Sequence, residues 1–127
     1  MSKTITIDTK VTVGNEVING RDVRSAGQLK SIDEVIAGNA SGVTVALAID
    51  VSAMKMLVVS AIDGPLVVTF VGPNLEFSID GGETITYVEK TDVPKIFGTT
   101  DVTSVGVSNE ESTDARLRIE VLLDPTP

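Results

Sequence analysis

The sequence predicts an all-β protein: a single domain, residues 1–127, folded as an antiparallel, jelly-roll-like β-sandwich of eight or nine short strands. Three observations lead to this prediction. Residues 43–72 are almost continuously apolar and β-branched, turn residues recur at the spacing of short strands, and both terminal segments alternate apolar with polar side chains. A chain of 127 residues is also long enough to bury a core without disulfides or metals.

The central stretch divides into three predicted strands, at residues 43–49, residues 56–62 and Leu66–Val71. Polar turns at residues 50–53 and 63–65 separate them, because Asp offers local hydrogen bonds to the backbone and Pro fixes its own φ. Each segment is too short to span a membrane. We therefore interpret them as strands that supply the hydrophobic core of the sandwich.

The N-terminal segment Lys3–Val13 alternates with period two and predicts a half-buried strand, so that residues 1–14 form an N-terminal strand or arm. Its apolar side consists of Ile5, Ile7, Val11 and Val13. Gly14-Asn15 and Asn19-Gly20 are predicted turns, the second of type I′. Residues 21–27 carry no clear pattern and are interpreted as a loop or irregular edge.

Residues 29–36, LKSIDEVI, are compatible with two structures. Their apolar residues fit helical spacing, and Ser31 with Glu34 forms a capping box. The segment is short, however, and short helices gain little from propensity alone. We favour an irregular strand.

The C-terminal part predicts strands at Leu75–Ile79, residues 83–89, residues 102–107 and Ala115–Leu123. Residues 91–100 form a long loop whose apolar residues Val93, Ile96 and Phe97 are expected to tuck under the sheet. If the protein is oligomeric, Ile96 and Phe97 are the kind of residues that anchor an interface. The terminal strands, with Ile5 and Ile7, are the other interface candidates, because an open sandwich has to cover, charge or pair its edges.

A short internal repeat accompanies two strand starts, Asp50-Val51-Ser52-Ala53-Met54 and Asp101-Val102-Thr103-Ser104-Val105. In each copy the Asp carboxylate is expected to accept hydrogen bonds from the next backbone amides. Two such motifs fit the related halves of a double-Greek-key sandwich, although a match this short also arises by chance.

The composition excludes most chemistry. The chain has no Cys and no His, which removes thiolate metal sites, Cys-His and Ser-His-Asp catalysis and the usual general base. Carboxylates at residues 63–64 and 80–83 lack the ligand spacing of a calcium loop and are typical of turns. We therefore predict no enzyme activity, no catalytic residues, no cofactor, no metal and no small-molecule substrate.

The charge and the aromatic content exclude further partners. A net charge of −8 argues against binding to nucleic acid or to anionic membranes. The absence of Trp argues against a sugar-binding site or a stacking platform for bases. The opening MSKTIT is not followed by an apolar run, so we expect no signal peptide, no membrane anchor and synthesis in a cytoplasm.

Three stretches resemble small β-sandwich virion proteins of tailed bacteriophages, of the capsid decoration or cement kind. They are AIDVSAMKMLVVSAIDGPLVVTFV, SIDGGETITYV and DVTSVGVSNEESTDARLRIEVLLDPTP, within residues 43–127. The likeness consists of the strand rhythm, the Asp-Val-Ser/Thr strand starts and the Leu-x-Asp-Pro-Thr-Pro ending. No motif of functional residues accompanies it.

The resemblance implies a structural protein that is made in the host cytoplasm and binds the major capsid protein on the outer surface of the virion. It also implies a homo-oligomer, often a trimer, whose N-terminal strand reaches the lattice and which stiffens the shell. Two alternatives remain open: a phage tail, fibre or receptor-binding module with a loop-built recognition tip, and a carbohydrate-binding or adhesion module. Exposed aromatic residues at residues 91–100 or 72–75 would favour the fibre module.

Overall fold

The structure is a computed structural model that describes residues 3–89 and 96–124. Within this part of the chain it contains ten β-strands and one short 3-10 helix. The strands are β1 (Lys3–Val13), β2 (Glu16–Ala26), β3 (Gln28–Ile36), β4 (Val43–Val45), β5 (Met54–Ile62), β6 (Leu66–Val71), β7 (Leu75–Ile79), β8 (Thr84–Val88), β9 (Ser104–Ser108) and β10 (Ala115–Leu123). The 3-10 helix, Val51–Ala53, directly precedes β5.

Eight of these strands form two four-stranded antiparallel sheets, ordered β3-β10-β5-β8 and β4-β9-β6-β7. The chain alternates between the sheets in the manner of a jelly roll, so that sequence neighbours such as β4 and β5 lie in opposite sheets. The predicted antiparallel sandwich is therefore confirmed. The two further strands, β1 and β2, form a separate hairpin.

The core lies between the two sheets and follows from the alternation in each strand. In β10, Leu117, Ile119 and Val121 are buried while Arg118 and Glu120 lie on the opposite side. The same alternation in β5, β6 and β9 supplies the facing apolar side chains. Apolar burial of this extent is the dominant stabilising term of the fold.

Three aromatic rings meet in the core. Phe70 on β6 is fully buried and lies edge-on to Phe77, with ring centroids 5.9 Å apart. The Phe97 ring is 5.0 Å from Phe70 and only 4% exposed. The prediction that Phe97 tucks under the sheet is confirmed, whereas Ile96 beside it is 40% exposed. Val93 lies outside the described residues.

The N-terminal part differs from the prediction after Gly14. The predicted turn at Asn19-Gly20 is wrong, because β2 runs through it as far as Ala26. Of the two interpretations of residues 21–27, the loop is therefore wrong, and an edge strand is what the structure has. The two-residue turn Gly14-Asn15 closes the hairpin instead, pairing Val13 with Glu16. Gly14 has φ +60°, a conformation that its missing side chain allows at the first central position of a tight hairpin.

Elsewhere each predicted strand is present, with bounds that differ by one or two residues in β5, β8 and β9 and by more near residue 50. Residues 29–36 form β3, as favoured over a helix, and Leu66–Val71, Leu75–Ile79 and Ala115–Leu123 have their predicted bounds. The predicted strand at residues 43–49 is shorter, since β4 ends at Val45 and Ile49 forms only an isolated bridge to Val102.

That bridge brings the two copies of the Asp-Val repeat side by side. Asp50 caps the 3-10 helix as predicted, with its carboxylate accepting hydrogen bonds from the Ser52 amide at 3.1 Å and the Ser52 hydroxyl at 2.6 Å. The Asp101 carboxylate accepts instead from the Val51 amide of the other copy, at 3.0 Å. One carboxylate therefore caps its own segment, and the other joins the two.

Candidate interaction surface

The most distinctive surface of the protein is the β1-β2 hairpin, called the arm below. Its root, residues 3–7 and 22–26, lies against the sandwich, and its tip, residues 8–21, extends away from it. Every residue of the tip is exposed. From Asp8 to the turn the tip measures about 20 Å, at roughly 3.3 Å per strand residue. A two-stranded hairpin is marginally stable alone in water, so packing of this tip against another surface would stabilise it.

One face of the arm carries apolar side chains at its root and at its tip, with polar and charged side chains between and beside them. Residues paired directly across an antiparallel hairpin point to the same side, so Ile5, Ile7, Val11 and Val13 share a face with Ile18 and Ala26. At the tip Val11 is 45% exposed, Val13 61% and Ile18 56%. The arm's apolar face is therefore covered at the root and open at the tip.

The root is held by a small apolar cluster on the outer side of the β3-β10-β5-β8 sheet, the side away from the core. Met56, Leu122 and Ala26 are buried there, with Ile5, Ile7 and Val88 packed around them. Arg24 adds a hydrogen bond from Nη2 to the Glu89 carbonyl at 3.0 Å. Register places Leu122 beside Met56 and Met56 beside Val88, so the root covers one end of this outer face.

A groove of about 760 Å³ lies between the arm and the uncovered remainder of the outer face. The arm contributes Thr4 to Asp8, and the sheet contributes polar and apolar side chains: Leu29, Ser31, Val58, Ser60, Thr84, Thr86, Arg118 and Glu120. Leu29 is 37% exposed, and Val35 further along the same face is 67% exposed. The groove is therefore an open, mixed surface that could accept a strand or a hairpin.

Paired charges fill the far end of the outer face. The Arg116 guanidinium donates two hydrogen bonds to the Asp33 carboxylate, from Nε at 2.5 Å and from Nη2 at 2.6 Å. These bonds and the attraction of the guanidinium hold the pKa of Asp33 below its usual value. The Ser31 hydroxyl donates to Glu120, which also pairs with Arg118 at 3.2 Å. The charges at this end largely compensate one another.

The sandwich protects its own sheet edges, whereas the arm does not. The edge strand β4 has three residues, and β7 and β8 have five each. The longest edge strand, β3, turns Lys30 and Glu34 toward the core side, where they oppose pairing with another strand. The arm has two strands of eleven residues, and each pairs on one side only.

The four residues predicted for an interface lie in different environments. Ile5 and Ile7 are half-buried under the arm against their own sheet. Phe97 packs in the core, so of the two loop residues only Ile96 offers surface to a partner. The structure does not bring these pairs together into one cluster. The prediction did not include Val11, Val13 and Ile18 at the tip, although their alternation with Thr and Lys was visible in the sequence.

The described part of the chain contains no group of three or more carboxylates placed to hold a metal ion. Burial raises the pKa of Tyr87, and its hydroxyl has no hydrogen-bond partner among residues 3–89 and 96–124. No helix in these residues is long and apolar enough to cross a membrane.

Comparison with known proteins finds no match. No protein-family model, no curated protein and no solved structure matches it.

Proposed function

We propose that this chain is a non-enzymatic structural protein of a phage virion. It binds the major capsid protein on the outer surface of the head as a decoration or cement protein, assembles as a homo-oligomer, a trimer, and stabilises the shell. The observation that carries the proposal is the arm: an exposed hairpin that reaches about 20 Å beyond an acidic sandwich and, with exposed apolar residues at its tip, is suited to joining the subunits of an assembly.

The architecture supports this proposal in two ways. Jelly rolls with this strand order recur in viral capsid domains, as well as in lectins and cupins. A ligand cavity between the sheets, of the kind that larger barrels enclose, has no room here, because apolar side chains fill that space. The charge of −8 keeps such a protein soluble and dispersed until it meets its lattice.

The fibre alternative receives no support from the loops. Phe97 is the only aromatic residue that the sequence places at residues 91–100 or 72–75, and its ring is buried against Phe70. A recognition tip at these loops would therefore lack the exposed aromatic side chain that favours that alternative.

The test is to locate the protein on particles. Virions from the phage that carries the gene are purified on a density gradient and labelled with an antibody raised against the recombinant chain. We expect the chain to co-migrate with intact heads and gold label to lie over the outer head surface. Heads that lack the protein should release DNA at a lower temperature. Particles free of the chain, or label confined to the tail, would refute the proposal.

A further inference from the structure

The arm already packs against one surface of this protein through the apolar side chains of its root. At the root, Ile5 and Ile7 pack on the outer sheet face beside Met56 and Leu122. The same arm face continues to the tip, and the same sheet face continues beyond the root into the groove. Within a single chain only the root of the arm makes this contact with the outer sheet face, because the tip extends away from the sandwich.

The charge distribution favours contact between the arm of one copy and the sandwich of another. Residues 3–26 carry four basic and three acidic side chains, a net charge of +1. Since the whole chain carries −8, the residues outside the arm carry −9. Two sandwiches therefore repel each other, whereas an arm approaches a second sandwich without this penalty.

We propose that the arm tip of one copy occupies the groove of a second copy, with Val11, Val13 and Ile18 against its outer sheet face. The inference rests on the homo-oligomer of the proposed function and assigns its interface. The contact joins two different surfaces, so repetition around a rotation axis closes a ring, such as a trimer. A shell protein is a less suitable occupant of the tip, since the complementary surface is present on the chain itself.

Two surface variants test the arm face directly. In one, Val11→Asp is combined with Ile18→Asp. The matched control, called the Val17 variant, combines Val17→Asp with Thr12→Asp and so places the same two charges on the opposite face of the tip, where Val17 is 51% exposed. All these positions lie outside the core, so far-UV circular dichroism should match the wild type, and so should the thermal midpoint at a concentration where the wild type is dissociated. Native mass is measured by light scattering over a range of concentrations.

We expect the wild type and the Val17 variant to be oligomeric. The dissociation constant of the double variant should be about 100-fold higher, as for loss of a buried apolar anchor. A wild type that stays monomeric up to its solubility limit would overturn the inference. So would a double variant that assembles as the wild type does.

Cysteine cross-linking then locates the groove, with no background because the chain has no Cys. Val11→Cys protein is mixed with Ser60→Cys or Thr86→Cys protein, whose positions line the groove, and treated with a short bis-maleimide. Thr44→Cys, an exposed position on the other sheet, is the matched control. Covalent heterodimers are expected with the groove positions, and equal yield with Thr44→Cys contradicts the assignment.

These results and the virion test fail independently. A monomer that labels virion heads overturns the arm exchange and leaves capsid decoration standing. An oligomer that is cross-linked through the groove but is absent from virions overturns capsid decoration and leaves the arm exchange standing.

Discussion

Asn109 is the one polar residue among those described that is buried in the sandwich, at 1% exposure. Its Nδ2 donates to the Ile36 carbonyl at 3.1 Å and to the Thr113 carbonyl at 2.8 Å, and its Oδ1 accepts from the Glu111 amide at 3.0 Å. These bonds tie the end of β3 to residues 109–114. Removing the side chain therefore leaves three backbone groups without their partner.

We expect Asn109→Ala to lower the free energy of unfolding by about 3 kcal/mol, at roughly 1 kcal/mol for each lost hydrogen bond. In urea, with an m-value of about 2 kcal/mol/M, the midpoint should fall by about 1.5 M at an unchanged slope. Asn19→Ala on the exposed arm is the matched control and should stay within about 0.5 kcal/mol of the wild type.

Asn109→Asp tests the contribution of the hydrogen bonds to stability, because it removes the Nδ2 donor while nearly preserving the side-chain volume. Its carboxylate would face the two carbonyl oxygens that now accept from Nδ2, so folding should raise the pKa of that carboxyl. A carboxyl with a raised native pKa is most stabilising below its unfolded value, about 3.9, and loses that stability as the pH rises through the native value. The Asp variant should therefore be clearly less stable than the Ala variant at pH 7, and the gap should narrow toward pH 4.

Either of two results would contradict this role of the Asn109 hydrogen bonds. The first is an Ala variant within about 0.5 kcal/mol of the wild type, because the three bonds would then contribute nothing measurable. The second is an Asp variant whose stability relative to Ala is the same at pH 4 and pH 7.

Three other substitutions probe separate features. Gly72→Ala places a Cβ 2.2 Å from the Asp101 carbonyl oxygen at φ +116°, and should destabilise by about 2 kcal/mol or more in urea unfolding. Arg116→Gln removes the guanidinium from Asp33, and the pKa of that carboxyl, followed by NMR, should rise toward its usual value of 3.8. Phe70→Ala opens a cavity among three rings and should cost about 3–5 kcal/mol by the same urea assay.

Each of these has a matched control and an outcome that contradicts it. Gly14→Ala meets no atom within 4 Å and should cost less than Gly72→Ala, so equal losses would contradict the close approach. Arg118→Gln should move the pKa of Asp33 less than Arg116→Gln, since Arg118 acts on it only through charge. Phe77→Ala, on a half-buried strand position, should cost less than Phe70→Ala.

The sandwich was predictable because its strands carry their own signals. β10 begins directly after the turn at residues 109–114. Its apolar residues alternate with Arg and Glu, and the predicted and observed bounds agree. β6 and β7 are likewise delimited by Pro65 and by Gly72 to Asn74. Where alternation and turn chemistry coincide, the local sequence is sufficient to specify a strand.

The arm was only half predictable. β1 alternates cleanly, but β2 contains Asn19-Gly20 and the charged residues Arg21, Asp22 and Arg24, which read locally as a turn and a loop. Pairing with β1 through the Gly14 turn overrides that local preference, and this pairing is a contact between distant residues. Strand formation depends on the strand with which a segment pairs, and the local sequence of β2 does not specify that partner strand.

The candidate interface residues were likewise only partly predictable from the sequence. The apolar character of Ile5, Ile7, Ile96 and Phe97 follows from the sequence, but whether each covers its own chain or faces a partner does not. Phe97 enters the core because Phe70 lies within reach, and Ile96 next to it stays exposed. Burial is decided by what the fold brings near, not by side-chain type alone.

By itself, then, the sequence determined the fold class, the bounds of the strongly alternating strands and the absence of His and Cys chemistry, because these depend on residue type and local spacing. Only the tertiary structure decided that the arm leaves the sandwich, that a groove lies beneath it and that the two Asp-Val motifs meet at one bridge. Those features depend on pairing between residues far apart in the chain, such as Val102 with Ile49 and Ala26 with Lys3, and local preferences do not encode which strands pair.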